Sequence, residues 1–385
     1  MALNRDLGGR ERLTFGQKLV DVNWLLVVLL CLVASFGFAM LFSAAKGNLD
    51  PWASRQMVRF GIGLVVMLMV AMVDIRFWLR HAYTIYALAL LLLVAVEVMG
   101  VVGMGAKRWV DFGLFQLQPS EVMKIALILA LARYFNGIAQ EDIGRLPLLL
   151  VPTAMVVAPV ALILRQPDLG TAALMVMLAA ALFFLAGVRI WKFAVGGLAV
   201  LAAVPLAWAL MLRDYQRQRV LTYLDPERNP LGAGYHIMQS KIALGSGGVF
   251  GKGFMQGTQS QLNFLPERQT DFIFTMLAEE LGLVGCLALL SLYIFILAYG
   301  VAISLRSQSQ FGRLVGMGVI VTFFLYIFIN IAMVTGIIPV VGAPLPLISY
   351  GGTALVTILF GFGLLISVYI HRDVAIGRRL DFDAD

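Results

Sequence analysis

Ionisable residues embedded in apolar sequence come first, because a charge in hydrocarbon is costly and needs a partner or a wet cavity. Pro119-Ser120-Glu121-Val122-Met123-Lys124 opens one apolar run, with proline suited to a first helical turn. Glu121 and Lys124 stand three residues apart and so share one helix face, either as a structural ion pair or as the polar wall of a cavity. Arg165-Gln166-Pro167-Asp168-Leu169-Gly170 reads as a tight turn between two apolar runs. There Asp168 can cap the next helix, pair with Arg165 or position a substrate. Thr270-Asp271-Phe272-Ile273-Phe274 places Asp271 where water meets lipid. A carboxylate at the mouth of a cleft can act as a general base, and a helix N-cap is the competing reading. Glu279 lies about 12 Å deeper on the same helix at roughly 1.5 Å per residue. It and Glu280 are expected to pair with buried donors rather than reach a substrate.

The segment from Arg213 to Thr270 mixes aromatic, aliphatic and basic residues, among them Lys241, Lys252 and Arg268. It suits a folded loop lying on a membrane surface. Its glycines, Gly245-Ser246-Gly247-Gly248 and Gly251-Lys252-Gly253, permit tight turns and close approach of a ligand to backbone N–H groups. It is not a P-loop, since Gly253 follows Lys252 and Ser246 stands where the first glycine is required. A later stretch, Pro339 to Gly352, holds three prolines and ends Ser349-Tyr350-Gly351-Gly352. It is expected to form a stiff, non-helical shelf that can wall a binding site. His81, His236 and His371 have no metal spacing, no nucleophile elbow occurs, and Cys31 and Cys286 read as packed hydrophobes.

The elements that must position these groups follow from composition. Of 385 residues, 61% are hydrophobic and only 13% charged, and mean hydropathy is +0.89. Soluble domains hold roughly 45–50% apolar and about 25% charged residues, so lipid must cover much of this chain. The expected fold is all-α, a polytopic integral membrane protein of ten spans over 24–43, 58–74, 83–102, 119–135, 146–164, 170–187, 192–212, 271–304, 313–335 and 347–370. The large loop 213–270 falls between the seventh and eighth. One domain, 1–385, is expected, with cytoplasmic tails at 1–23 and 371–385. Basic residues concentrate in the segments that are inside when the N-terminus is inside, which puts the 213–270 loop outside the cytoplasmic membrane. The net charge of +7 comes from basic residues set singly between apolar runs. That pattern fits orientation and anionic lipid, and argues against nucleic acid.

The ordered motifs resemble the SEDS family (shape, elongation, division and sporulation). They are Gly105-Ala106-Lys107-Arg108-Trp109, Gln118-Pro119-Ser120-Glu121, Gln166-Pro167-Asp168-Leu169-Gly170-Thr171 and Asp214-Tyr215-Gln216-Arg217-Gln218-Arg219-Val220. Gln239-Ser240-Lys241, Thr270-Asp271-Phe272-Ile273-Phe274, Glu279-Glu280-Leu281-Gly282 and the proline shelf complete the set. Gly257-Thr258-Gln259-Ser260-Gln261-Leu262 and the short N-terminal tail favour the elongation branch, the RodA group, over the division branch, the FtsW group. Gln269 departs from the family, which usually has histidine there.

The resemblance implies a peptidoglycan glycosyltransferase that polymerises lipid II on the outer face of the cytoplasmic membrane. It releases a polyprenyl pyrophosphate and acts with a class B penicillin-binding protein. Asp271 is then the expected catalytic base of an inverting transfer. Lys124, Arg108, Lys107, Arg165, Lys241, Lys252 and Arg268 are candidates for the leaving group, and Glu121, Asp168, Ser349 and Tyr350 for substrate binding. A divalent cation, Mg²⁺ or Mn²⁺, is a candidate cofactor, with Glu121 or Asp168 contributing. The same polar residues also allow a lipid II transporter, and the spans alone allow a non-catalytic scaffold.

Overall fold

Apolar runs become helices and polar punctuation becomes the links between them in the computed structural model. It describes residues 14–103, 106–111, 113, 116–210, 217, 221–223, 225, 233–262, 264, 267–374 and 376. After a short α1 (Phe15–Val20) come α2 (Trp24–Ala44), α3 (Ala53–Met72), α4 (Ile75–Met99), α5 (Pro119–Asn136), α6 (Leu146–Arg165), α7 (Leu169–Ala186) and α8 (Ile190–Leu210). Then follow α9 (Ala233–Ser246), α10 (Thr258–Gln261), α11 (Ile273–Arg306), α12 (Gln310–Val334) and α13 (Gly352–Ile370). Eight of these, α2, α3, α4, α6, α7, α11, α12 and α13, are long and apolar enough to cross a membrane. With α5 and α8 they make the polytopic all-α membrane protein that the sequence suggests.

The two helices outside that eight differ in kind. α5 carries Glu121, Lys124 and Arg133, yet nearly all its residues are buried, because α4, α6, α7, α12 and α13 surround it. A helix shielded from lipid by protein tolerates charge where an outer helix cannot. α8 lies at the periphery, with Leu198 69% and Leu201 68% exposed. Two helices start at least five residues earlier than expected. Asp74 caps α4 by accepting from Arg76 N (2.8 Å), so α4 begins at Ile75 rather than 83. α3 begins at Ala53 rather than 58, since Gln56 in its first turn is buried against the proline shelf and need not be apolar.

Prolines 152 and 159 inside α6 remove the N–H groups that Leu148 and Met155 carbonyls would otherwise accept from. Neighbouring helices replace them. Tyr134 OH of α5 donates to Leu148 O (2.6 Å), and Tyr86 OH of α4 donates to Met155 O (2.8 Å). In a medium without water such replacements are what make an intrahelical proline tolerable.

All the longer links gather at one end of the bundle. There β1 (Val101–Gly103), β2 (Ala106–Asp111) and β3 (Gln116–Leu117) form a small antiparallel sheet in the order β1-β2-β3. The opposite end holds most of the short links, and basic residues there meet backbone carbonyls and amides. Lys18 Nζ donates to Met72 O (2.9 Å) there, and Gln308 N to Arg372 O (2.9 Å). Residues 1–13, 375 and 377–385 of the expected tails lie outside the described residues, as do Gly105, the Asp214–Val220 motif except Arg217, and 226–232 of the long loop.

α11 is 34 residues long but is broken at Gly282 (φ 66°, ψ −164°), a conformation open almost only to glycine. In an unbroken helix Glu279 O and Glu280 O would accept from Leu283 N and Val284 N. Here they accept from Lys252 N and Gly253 N (3.0 Å each), while Leu283 N and Val284 N donate to Gly248 O (3.0 Å) and Val249 O (3.1 Å). The glycine-rich loop is spliced into the break, rung for rung. A Cβ on Gly251 or Gly282 would collide with the opposing backbone. The close approach these glycines permit is therefore to a helix, and the amides of Lys252 and Gly253 serve that helix.

Candidate functional site

Asp271 stands half-buried just before α11, one residue outside the N-cap position, which is Phe272. Its backbone is held from three directions. Gln269 O accepts from Tyr350 N (2.8 Å), Thr270 O from Ser349 Oγ (2.6 Å) and Asp271 O from Asn330 Nδ2 (3.0 Å). The shelf thus donates twice and α12 once, to three consecutive carbonyls. Each donor is itself fixed. Ser349 Oγ accepts from Leu345 N (2.7 Å), and Ser349 O accepts from Gln56 Nε2 (2.9 Å). Asn330, fully buried, also donates to Ala343 O (2.7 Å), tying α12 to the shelf. A side chain on a backbone held this firmly has its position set by the fold in advance.

Cations and aromatics surround this clamp. Arg59 of α3 lies over the Tyr350 ring (4.8 Å), and Arg268 faces Trp52 at 5.9 Å. Burial lowers the pKa of Arg268 from its ordinary value. Gly342 of the shelf packs so near that a Cβ added to it would lie 3.4 Å from Asp271 Oδ2, at a backbone with φ of +78°.

A second polar cluster is fully enclosed. Lys124 Nζ donates to Glu121 Oε1 (2.7 Å), and Tyr326 OH donates to both Glu121 oxygens (2.7 Å each). Lys124 also contacts the Tyr326 hydroxyl and lies 4.4 Å from its ring centre. Beside it, Asp168 caps α7 by accepting from Thr171 N (3.1 Å). Its ionic partner is Arg108 (3.6 Å) and not Arg165, which is exposed. Arg108 Nη2 also donates to Pro167 O (2.8 Å), fastening β2 to the α6–α7 turn. The Cβ of an alanine at Gly170 would press on Val341, so the shelf packs against the start of α7, next to Asp168.

The other expected residues spread around the same end. Lys107 and Lys241 are exposed. Lys252 Nζ donates to Glu279 Oε1 (2.8 Å) and Thr258 Oγ1 (2.7 Å). Glu279 also accepts from Gln259 N (2.9 Å), and Glu280 from Ser43 Oγ (2.6 and 2.8 Å) and Met255 N (3.0 Å). Both glutamates pair with donors behind the helix break, as expected of them. Sequence reasoning missed Gln56, Arg59, Asn330 and Tyr326 as site residues. Asn330 and Tyr326 are sparse polar groups in the apolar α12, and that rarity is the signal that marks them, whereas Gln56 and Arg59 sit with Ser54 and Arg55 in the polar opening turns of α3 and carry no such signal.

Among the described residues no group of three or more His, Cys, Asp or Glu side chains is placed to hold a metal. Glu121 and Asp168 fit that task poorly, since their oxygens already serve Lys124 and Tyr326, and Arg108 and Thr171.

Comparison with known proteins bears on all of this. A model of a cell cycle protein family, FtsW/RodA/SpoVE, matches residues 17–374. The peptidoglycan glycosyltransferase MrdB of Escherichia coli K12 is 45% identical over 361 residues, covering 93% of this chain and 96% of that protein. A solved chain from work on how a peptidoglycan synthase complex coordinates polymerization and crosslinking is 34% identical with a TM-score of 0.80, covering 91% and 98%. The rod-shape-determining protein RodA of Thermus thermophilus is 30% identical with a TM-score of 0.70, covering 92% and 98%.

Proposed function

From the premise that the chain belongs to the FtsW/RodA/SpoVE family and is a peptidoglycan glycosyltransferase of cell elongation, we propose that Asp271 is its general base and lipid II its substrate. Asp271 takes the proton from the GlcNAc 4-hydroxyl of the acceptor. That oxygen attacks the anomeric carbon of the donor MurNAc, forming the new glycosidic bond with inversion. The bond from that carbon to the pyrophosphate oxygen breaks, and the electron pair leaves with the polyprenyl pyrophosphate. The observation that carries this reading is the clamp on three consecutive carbonyls, which holds a half-exposed carboxylate at the mouth of the bundle.

Charge gathers on the leaving group, and cations at this end are its natural partners. Arg268 and Arg59 flank the clamp, Arg108 borders Asp168, and Lys107, Arg165, Lys241 and Lys252 stand farther around the rim. Arginine offers bidentate phosphate contact, and lysine a point charge. Lys124 acts with Glu121 to shape the wall, and Ser349 and Tyr350 act through the clamp. A divalent cation would arrive with the pyrophosphate, held through substrate oxygens, and no step above depends on it. The Asp271 end faces the outside of the cytoplasmic membrane, both termini face the cytoplasm, and a class B penicillin-binding protein cross-links the emerging glycan.

Purified protein incubated with lipid II in detergent, with and without such a transpeptidase and divalent ions, tests the proposal. Glycan polymer is the expected product. Movement of lipid II across vesicles without polymer would instead make the chain a transporter, and neither result in any combination would make it a scaffold.

A further inference from the structure

The end of the bundle opposite Asp271 holds a cleft of about 330 Å³ between α4, the last turn of α5 and the start of α6. Leu79, Ile138 and Leu148 give it apolar walls, and Arg133 is the one charged residue that lines it. The guanidinium is oriented in advance: Nη1 donates to Arg80 O (2.7 Å), and the group lies over the Tyr83 ring at 4.4 Å. Among the described residues no carboxylate forms an ion pair with it. Asp142, close by in sequence, is taken by Arg145 at 3.1 Å. Arginine has about five N–H donors, and the fold engages few of these.

We propose that this cleft seats the phosphate of an anionic phospholipid. A planar guanidinium fixed against an aromatic ring suits bidentate contact with phosphate oxygens. Arg76, Arg80, Arg189 and Lys192 lie at the same end and outnumber Asp74 and Glu141 there, with Arg145 balanced by Asp142, so the field favours a net anion over a zwitterion. The C-terminus of α5 adds partial negative charge, so the guanidinium, and not the helix end, must hold the anion. Acyl chains leaving the cleft meet the outward face of α6, where Leu146 is 65% and Leu150 70% exposed. A free phosphate would leave those apolar walls without a role. The cleft is remote from the clamp, and this inference is independent of the role given to Asp271.

Native mass spectrometry of the protein in micelles doped equally with phosphatidylglycerol and phosphatidylcholine reads the site. The wild type should retain phosphatidylglycerol over phosphatidylcholine by roughly tenfold or more. Arg133→Gln should lose that preference, and Arg145→Gln should keep it. Ile138→Trp, which fills the cleft and leaves Arg133 in place, should lose it too and serves if Arg133→Gln does not fold. Equal retention of the two lipids by the wild type would overturn the proposal. So would undiminished phosphatidylglycerol on both cleft variants, or its displacement by inorganic phosphate at equal concentration.

Discussion

Among the carboxylates at one end of this bundle, Glu121, Glu279 and Glu280 are enclosed while Asp271 is half-exposed. The glutamates are held through their side chains: Lys124 and Tyr326 on Glu121, Lys252 and Gln259 N on Glu279, Ser43 and Met255 N on Glu280. Asp271 is positioned through its backbone, with the carbonyls of residues 269 to 271 gripped by Tyr350, Ser349 and Asn330. On the proposed role of Asp271, the difference separates acids that hold the fold together from the one that takes the proton. Neutralising a buried partner should cost folding, whereas neutralising Asp271 should cost turnover and little stability.

Lys124→Ala probes the buried side of that contrast most severely. It strands the Glu121 charge in the bundle, and breaking such a pair costs about 3–5 kcal/mol. Thermal unfolding in detergent should show a large loss, and near-native stability would mean that Glu121 is neutral or finds another donor. Asn330→Ala reaches across to the clamp. It removes donors to Asp271 O and Ala343 O and should cost about 1–3 kcal/mol. It should also lower kcat for polymerisation with KM changed less, because the carboxylate is displaced while the substrate surface remains. A fall in stability with kcat intact would show that the clamp does not set the position of Asp271.

How much of this was legible beforehand follows the physics of each signal. The all-α, multi-span character comes from long apolar runs, and Asp271 and Asp168 stand out because charge beside such runs is rare. The clamp was not legible. Ser349 and Tyr350 meet Gln269 and Thr270 across some eighty residues of chain, and Gln56 meets Ser349 from nearly three hundred residues away. No local pattern encodes such pairings. The splice at Gly282 was hidden for the same reason: Gly251 and Gly282 look like separate turn residues until the fold lays their backbones together. Arg108 displaced Arg165 as the partner of Asp168 because β2 folds back over the turn, and sequence proximity carries no weight against that.

The most direct test compares wild type and Asp271→Asn for polymerisation of labelled lipid II and for thermal unfolding in the same detergent. Loss of the general base should reduce the rate by about 10²–10⁴, with the unfolding temperature close to wild type. A folded Asp271→Asn protein that still polymerises lipid II at a near-native rate would contradict the account.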